Sequence, residues 1–284
     1  MTDLPSGKAI VAGVTGWPVG HSRSPRLHGH WLRRYGVDGL YAPFPIAPEN
    51  FEPAVRGLAA AGLAGLNVTV PHKEAARALC DRLDDAARRL GAANTLVFGP
   101  GGAIEGRNTD AFGFAENLKA ANCAKTGGTA VVLGAGGAAR AVVLALQSLG
   151  YGPIRLTNRT ASRAEAVTDA LGPGIEAVPW AERAAALAGA TLLVNATSLG
   201  MTGQPALDLP LDDLPAGAAV NDIVYAPLET PLLAAARRRG CRTVDGLGML
   251  LHQGRPGFHA WFGVDPAVDE DLRRAVAGDL LAPG

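Results

Sequence analysis

A lysine and an aspartate stand at two predicted strand ends in the first half of the chain, where they could move a proton. Lys73 closes the stretch LNVTVPHK, residues 66–73, and Asp110 closes GRNTD, residues 106–110. Oxidising an alcohol needs a group that takes the hydroxyl proton, and reducing a ketone needs one that returns it. A lysine oriented by a carboxylate can do both. We therefore predict Lys73 and Asp110 as a catalytic pair for hydride transfer, with His21 as the alternative base.

Small polar side chains near these two residues could bind a substrate. The period of two in a strand sends Asn67 and Thr69 to one face, while the two valines of the same stretch enter the core. Ser22 and Ser24 lie where a helix is predicted to start, and two hydroxyls near a helix N-terminus can hold a small carboxylate. Ser24, which precedes a proline, also fits a plain helix N-cap. Asn94, in AANTL, adds an amide at another strand.

A glycine loop predicts a dinucleotide site in the second half. VVLGAGGAAR, residues 131–140, places Gly134, Gly136 and Ala139 in the G-x-G-x-x-G/A pattern between a strand and a helix. The first glycine permits a tight turn, and the second lets a pyrophosphate approach the helix N-terminus. The predicted cofactor-binding residues of this loop are Gly134, Ala135, Gly136, Gly137 and Ala138.

The next predicted strand favours NADP over NAD. An NAD site usually carries an acidic residue there, roughly 20 residues on, for the ribose 2′-hydroxyl. This chain has TNRTASR at residues 157–163 instead. No carboxylate would repel a 2′-phosphate, and two guanidiniums could hold one. The residues predicted to do so are Asn158, Arg159, Thr160 and Arg163.

The elements that must position these groups alternate between strand and helix, which predicts an α/β protein. Helices are expected over 24–36 with Ser24 as the cap, from Pro71 through residue 83, over about 111–121, and over 180–189. From residue 129 on, buried-looking strands separated by helices predict a doubly wound parallel sheet with helices on both faces. The 284 residues suffice for two domains.

Composition argues against several classes of protein. The formal net charge is +0, so we expect no nucleic-acid partner. No stretch reaches the roughly 20 apolar residues of a membrane span. Three scattered cysteines without a CxxC motif are typical of reduced thiols in a cytoplasm. The histidines are dispersed and form no metal-ligand motif, so no metal is expected.

Eight motifs, in order and spacing, resemble those of shikimate dehydrogenases over residues 10–262. They are HSRSPRLH, NVTVPHK, GAANTL, NTDAFG, GAGGAARAV, NRTASR, NATSLGM and DGLGMLLHQ. The resemblance implies NADPH-dependent reduction of 3-dehydroshikimate to shikimate in aromatic amino-acid biosynthesis. It also implies a three-layer substrate-binding domain (1–109), a Rossmann-type NADP domain (110–245) and C-terminal helices that return to the first domain (246–284).

The resemblance assigns roles residue by residue. Lys73 and Asp110 would be catalytic, and Ser22 and Ser24 would hold the substrate carboxylate. The residues that would contact the substrate ring are Asn67, Thr69, Asn94 and Gln253, with Tyr225 close by. Ile223 and Gly246 would contact the nicotinamide, and Asn158, Arg159, Thr160 and Arg163 would hold the 2′-phosphate.

Two small departures and two alternatives stay open. Arg23 stands where the family often has lysine, and Ala111 where glycine often follows NTD. One alternative is a quinate/shikimate dehydrogenase with relaxed cofactor use. The other is a non-catalytic relative that senses the ligand. A monomer and a homodimer are both compatible with the sequence.

Overall fold

Strands and helices alternate along most of the chain, and the strands form two separate sheets. The computed structural model describes residues 4–281. Over this range the chain divides into two compact units, residues 4–109 with Gln253–Gly278, and mainly Asp110–His252. Each unit has its own six-stranded sheet. The predicted α/β class is confirmed.

The sheet of the first unit is mixed. Its strands are β1 (Ile10–Gly16), β2 (Gly39–Pro45), β3 (Gly65–Val68), β4 (Arg82–Leu83), β5 (Thr95–Phe98) and β6 (Ile104–Arg107). They lie in the order β2-β1-β3-β5-β6-β4. β1 is parallel to both β2 and β3, whereas β5 is antiparallel to β3 and β6.

Helices cover both faces of this sheet. They are α1 (Ser24–Arg34), α2 (Phe51–Ala60), α3 (Lys73–Ala78), α4 (Asp85–Leu90), the later part of α9 (Leu247–Phe262) and α10 (Glu270–Ala277). On one face, Leu66 and Val68 of β3 pack in a core with Val55 of α2 and Ala76 of α3. α9 packs against the other face of β3. A Cβ at Gly65 would lie only 2.2 Å from Trp261 Nε1.

The sheet of the second unit is fully parallel. Its strands are β7 (Ala130–Leu133), β8 (Ile154–Thr157), β9 (Ile175–Val178), β10 (Leu192–Asn195), β11 (Ala219–Asp222) and β12 (Arg242–Val244). The order β12-β11-β10-β7-β8-β9 is the Rossmann order, with the reversal between β7 and β10. Because parallel crossovers are right-handed, connections on the two sides of β7 lie on opposite faces. The predicted doubly wound sheet is confirmed.

The helices of the second unit are α5 (Asp110–Ala120), α6 (Gly137–Ser148), α7 (Ala161–Leu171) and α8 (Pro231–Arg238), followed by the start of α9. The helix predicted over 180–189 is wrong. Two short 3-10 turns, Trp180–Glu182 and Ala185–Leu187, occupy this stretch. The second turn buries Ala186 and Leu187 in the core below the sheet, so packing overrides the helix propensity of the alanines. β9 had no counterpart among the predicted strands.

Two further predictions in the first unit need correction. The helix expected through residue 83 ends at Ala78, and Arg82–Leu83 form β4 instead. Val70 was expected in the core, but its exposed fraction is 69%, whereas Val68 is 2% exposed. β3 ends at Val68, so the alternation of faces stops before Val70.

Candidate active site

The two serines of the first unit flank the start of α1. Arg23 occupies the N-cap position and Ser24 is the first helical residue, so Ser24 is not the predicted cap. Its backbone N–H donates to Ser22 Oγ at 3.3 Å, so the capping hydroxyl belongs to Ser22. Arg23 donates to the carbonyls of Val276 and Ala277, at 2.9 and 3.0 Å. The serine loop is thereby tied to the C-terminal end of α10.

Asn67 lies on β3, 5% exposed, with its amide held by several groups of the first unit. Its Oδ1 accepts from Tyr41 Oη at 2.6 Å. Its Nδ2 donates to the Asn94 carbonyl at 3.4 Å and to Thr95 Oγ1 at 3.2 Å. Thr69 is half-buried just beyond the strand, and its N–H donates to the Thr15 carbonyl at 2.9 Å.

Asn94 is the centre of a second buried cluster in the same unit. Its Nδ2 donates to Thr109 Oγ1 at 3.1 Å and to Gln253 Oε1 at 3.4 Å. Its Oδ1 accepts from the Thr109 N–H at 2.9 Å. The structure therefore brings together Asn67, Asn94 and Gln253, which the sequence places far apart.

Lys73 is the first residue of α3 and is half-buried. Its carbonyl accepts from the N–H of Ala93 at 2.9 Å, which places the start of α3 beside Asn94. Asp110 is the first residue of α5, immediately after Thr109, and is half-buried. The two residues belong to different units, so their pairing stays a prediction.

The glycine loop of the second unit connects β7 to α6. Gly134 has φ +106°, and a Cβ there would lie 2.8 Å from the Ala196 carbonyl oxygen. Gly136 is the N-cap of α6, without a side-chain capping bond. A Cβ at Gly136 or Gly137 would meet nothing within 4 Å. Open space and uncapped N–H groups at a helix N-terminus suit an anion.

The predicted phosphate residues follow β8. Asn158 Nδ2 donates to the Thr160 carbonyl at 2.9 Å, which closes the turn into α7. Arg159, Thr160 and Arg163 are exposed. Ala135 lies in the neighbouring β7–α6 connection and is buried, and Ala138 is the second residue of α6 and is half-buried. The guanidiniums of Arg159 and Arg163 form no ion pair within residues 4–281.

A buried carboxylate organises the segment that carries Ile223 and Tyr225. Asp222, 0% exposed, accepts from Asn195 Nδ2 at 3.0 Å, Thr230 Oγ1 at 2.7 Å and the Val224 N–H at 3.0 Å. Burial raises the pKa of Asp222, and the three hydrogen bonds oppose this shift.

The segment that carries Ile223 and Tyr225 also contacts residues at or just after the ends of β10 and β12. The Ile223 N–H donates to the Asn195 carbonyl at 3.0 Å. Gly246 approaches so closely that a Cβ there would lie 2.1 Å from the Ile223 oxygen. Ile223 and Gly246 are therefore neighbours, and Tyr225 follows directly.

Several residues of these networks were not singled out from the sequence, among them Tyr41, Thr109 and Asp222. Thr109 stands directly before Asp110 in the motif NTDAFG, and Asp222 stands directly before Ile223. Their position at strand ends was the available signal. Tyr41 offered none, because only the register of the sheet brings it to Asn67.

Cys80, Cys123 and Cys241 are free thiols, and burial raises the pKa of each, that of Cys80 to about 11. Among residues 4–281, no group of three or more His, Cys, Asp or Glu could hold a metal ion. None of the helices over that same range is both long and apolar enough for a bilayer crossing.

Family models match both units. Residues 14–96 match the shikimate dehydrogenase substrate binding domain. Residues 117–202 match the shikimate / quinate 5-dehydrogenase family. The chain is also 58% identical to the shikimate dehydrogenase (NADP(+)) of Paramagnetospirillum magneticum over 274 residues, which covers 95% of this chain and 99% of the relative.

Solved structures with the same fold span both cofactors. The shikimate 5-dehydrogenase of Thermus thermophilus, in complex with NADP(H) and shikimate, is 38% identical with a TM-score of 0.85, covering 96% of this chain and 100% of that chain. The quinate dehydrogenase of Corynebacterium glutamicum, in complex with NAD, is 30% identical with a TM-score of 0.88, covering 96% and 99%.

Proposed function

The chain belongs to the shikimate dehydrogenase family, and we propose that it reversibly reduces 3-dehydroshikimate to shikimate with NADPH. The observation that carries this proposal is the 58% identity to an NADP-dependent shikimate dehydrogenase over almost the full length of both chains. The reaction belongs to the shikimate pathway of aromatic amino-acid biosynthesis. We place the enzyme in the cytoplasm, as a monomer or homodimer.

We assign substrate binding to the first unit. Ser22 and Ser24 stand at the start of α1, where hydroxyls and the helix dipole suit the substrate carboxylate. The amides that would contact the ring hydroxyls are those of Asn67, Asn94 and Gln253, with the hydroxyl of Thr69. Buried amides already oriented by protein partners discriminate well between ring substituents, because a mismatched substituent leaves one of them unpaired.

We assign NADP binding to the second unit. The open space above Gly136 and Gly137 and the uncapped start of α6 fit a pyrophosphate. Arg159 and Arg163 fit a 2′-phosphate, because a guanidinium binds phosphate oxygens through two parallel hydrogen bonds. Ile223 and Gly246 would contact the nicotinamide, and Tyr225 remains assigned to the substrate.

NADPH supplies the hydride when bound, and the chain supplies the proton. The Lys73 ammonium donates a proton to the ketone oxygen as that oxygen becomes the shikimate hydroxyl. In the reverse direction the amine takes the hydroxyl proton back. Asp110 is the residue that we propose to orient the lysine.

Steady-state oxidation of shikimate and of quinate, each with NADP and with NAD, tests the function. We expect a strong preference for shikimate with NADP. Comparable rates with quinate or NAD would move the protein to the relaxed quinate/shikimate dehydrogenases. Folded protein that binds shikimate but turns over no pair would be a ligand-sensing relative.

Arg159→Ala sharpens the cofactor arm of this test. The variant should raise the KM for NADPH and leave that for NADH nearly unchanged, because only NADPH carries the 2′-phosphate. Arg237→Ala is a matched control, since Arg237 is an exposed arginine of the same unit, paired with Glu229. An equal change in both KM values would remove Arg159 from the phosphate site.

A further inference from the structure

Tyr41 is a buried tyrosine that contacts Asn67, a residue assigned to the substrate site. It lies on β2 with an exposed fraction of 6%. Its hydroxyl donates its single proton to Asn67 Oδ1 at 2.6 Å.

The register of the sheet brings Tyr41 close to Asn67. Tyr41 pairs with Ala12 on β1, and Ala12 pairs with Gly65 on β3. Asn67 is two residues beyond Gly65, on the same face of the strand. The small side chain of Ala12 lets the phenol cross above β1 and reach the Asn67 amide.

Aromatic packing holds the phenol ring in place. The His28 ring stacks on Tyr41 with a centroid distance of 4.0 Å and an interplanar angle of 8°. Trp261 lies against both rings, at 6.1 Å from Tyr41 and 5.6 Å from His28. Burial lowers the pKa of His28 to about 3, so the imidazole is neutral at physiological pH. Burial likewise raises the pKa of Tyr41 well above its ordinary value, so the phenol keeps its proton.

We propose that Tyr41 is a positioning residue for substrate binding, which fixes the Asn67 amide in the orientation that contacts the substrate ring. The inference rests on the proposed function. With Oδ1 occupied by Tyr41, Nδ2 points to the Asn94 carbonyl and Thr95 Oγ1. Without the phenol proton, Oδ1 loses this donor, and the amide is held from its Nδ2 side by the Asn94 carbonyl and the Thr95 hydroxyl.

The test compares Tyr41→Phe with Tyr151→Phe in steady-state shikimate oxidation. Tyr151 is a matched control in the second unit, because it is also 6% exposed, accepts from the Lys125 N–H and donates to the Cys123 carbonyl. Tyr41→Phe should raise the KM for shikimate about tenfold, the effect of one lost oriented hydrogen bond. The KM for NADP should stay unchanged, and Tyr151→Phe should change neither.

A double-variant cycle separates positioning from a general loss of stability. In an Asn67→Ala background, Tyr41→Phe should have no further effect on the KM for shikimate, because the amide that it orients is gone. Additive effects would overturn the inference. So would a wild-type KM for shikimate in Tyr41→Phe.

The outcomes also distinguish this inference from the proposed function. If the wild-type protein oxidises shikimate and Tyr41→Phe has the same KM for shikimate, the inference is wrong and the proposed function stands. If the wild-type protein does not oxidise shikimate, both the proposed function and the inference are wrong. If Tyr41→Phe does not fold, Thr95→Val removes the hydroxyl on the other side of the same amide. Thr95→Val should then raise the KM for shikimate, and no change there overturns the inference.

Discussion

At the scale of single residues, Lys73 is the side chain on which the proposed chemistry depends. Lys73→Ala should lower kcat by about 10²–10⁴-fold while the KM for shikimate changes little, as expected when acid–base work is lost. Lys73→Arg should be similarly slow, because arginine keeps the charge but does not release its proton. Steady-state kinetics measure both.

Lys119→Ala is the control for Lys73, since Lys119 is an exposed lysine paired with Glu116 on α5. It should leave kcat unchanged. Turnover near the wild-type rate in Lys73→Ala would show that another group, His21 first, moves the proton.

The buried carboxyl group of Asp222 should make the free energy of unfolding depend on pH. Burial raises the pKa of Asp222 above its ordinary value of 3.8. Between that value and the raised one, the folded chain therefore holds a proton that the unfolded chain has lost. The free energy of unfolding falls as pH rises through this window. Asp222→Asn cannot ionise, so its stability relative to wild type should improve from about pH 4 upward.

Urea unfolding at a series of pH values measures this difference. Asp208→Asn provides the control, because the Asp208 side chain is 96% exposed, and we expect no pH-dependent difference there. A constant difference between wild type and Asp222→Asn would mean that Asp222 titrates alike in the folded and unfolded chains.

At the scale of elements, two glycines in the connection between β7 and α6 should affect stability and cofactor binding separately. Gly134→Ala places a Cβ at φ +106° and 2.8 Å from the Ala196 oxygen, so it should lower stability by at least about 1–3 kcal/mol. Gly136→Ala meets no neighbour and should change stability by about 1 kcal/mol or less. It should still weaken NADP binding, because the methyl group occupies the space meant for the pyrophosphate.

Thermal unfolding without ligand and NADP titration by fluorescence measure the two effects separately. Full NADP affinity in Gly136→Ala would place the pyrophosphate elsewhere. An unchanged melting temperature in Gly134→Ala would contradict the close approach to Ala196.

The elements also show why some of the fold was predictable from the sequence. The glycine loop, the strand before it and the helix after it carry local signals, and each forms where it was expected. Local signals gave the wrong secondary structure at residues 180–189. The alanines there favour a helix, but Leu187 packs in the core from a 3-10 turn. Local signals also failed at Tyr41, whose partner Asn67 lies 26 positions away.

The site itself was predictable to a similar extent. Lys73, Asn67 and the serines stand at element ends, where sequence patterns are informative. Which amide donates to which oxygen depends on the sheet register and on a helix from the far end of the chain, and Gln253 reaches Asn94 only through that helix.

At the scale of the whole molecule, the two units should respond to different ligands. NADP alone should slow amide hydrogen exchange at residues 134–140 and 158–163, in the second unit. Shikimate alone should slow exchange at residues 22–28 and 66–78, in the first unit. A ligand stabilises the folded form of the region that binds it. Hydrogen-exchange mass spectrometry resolves these segments, and shikimate protection confined to the second unit would contradict the assignment.

The first unit is built from both ends of the chain, and this has a consequence for synthesis. Trp261 packs against Tyr41 and His28 and donates to the Leu96 carbonyl at 3.0 Å. Arg23 donates to two carbonyls at the end of α10. All six strands of the second unit lie within Asp110–His252, so its sheet is translated before the helices that complete the first unit. The first unit therefore leaves the ribosome first but is completed last. A released chain that ended before residue 253 would contain every strand of the Rossmann sheet but lack the helices that complete the first unit, which would leave that unit open to chaperones and proteases.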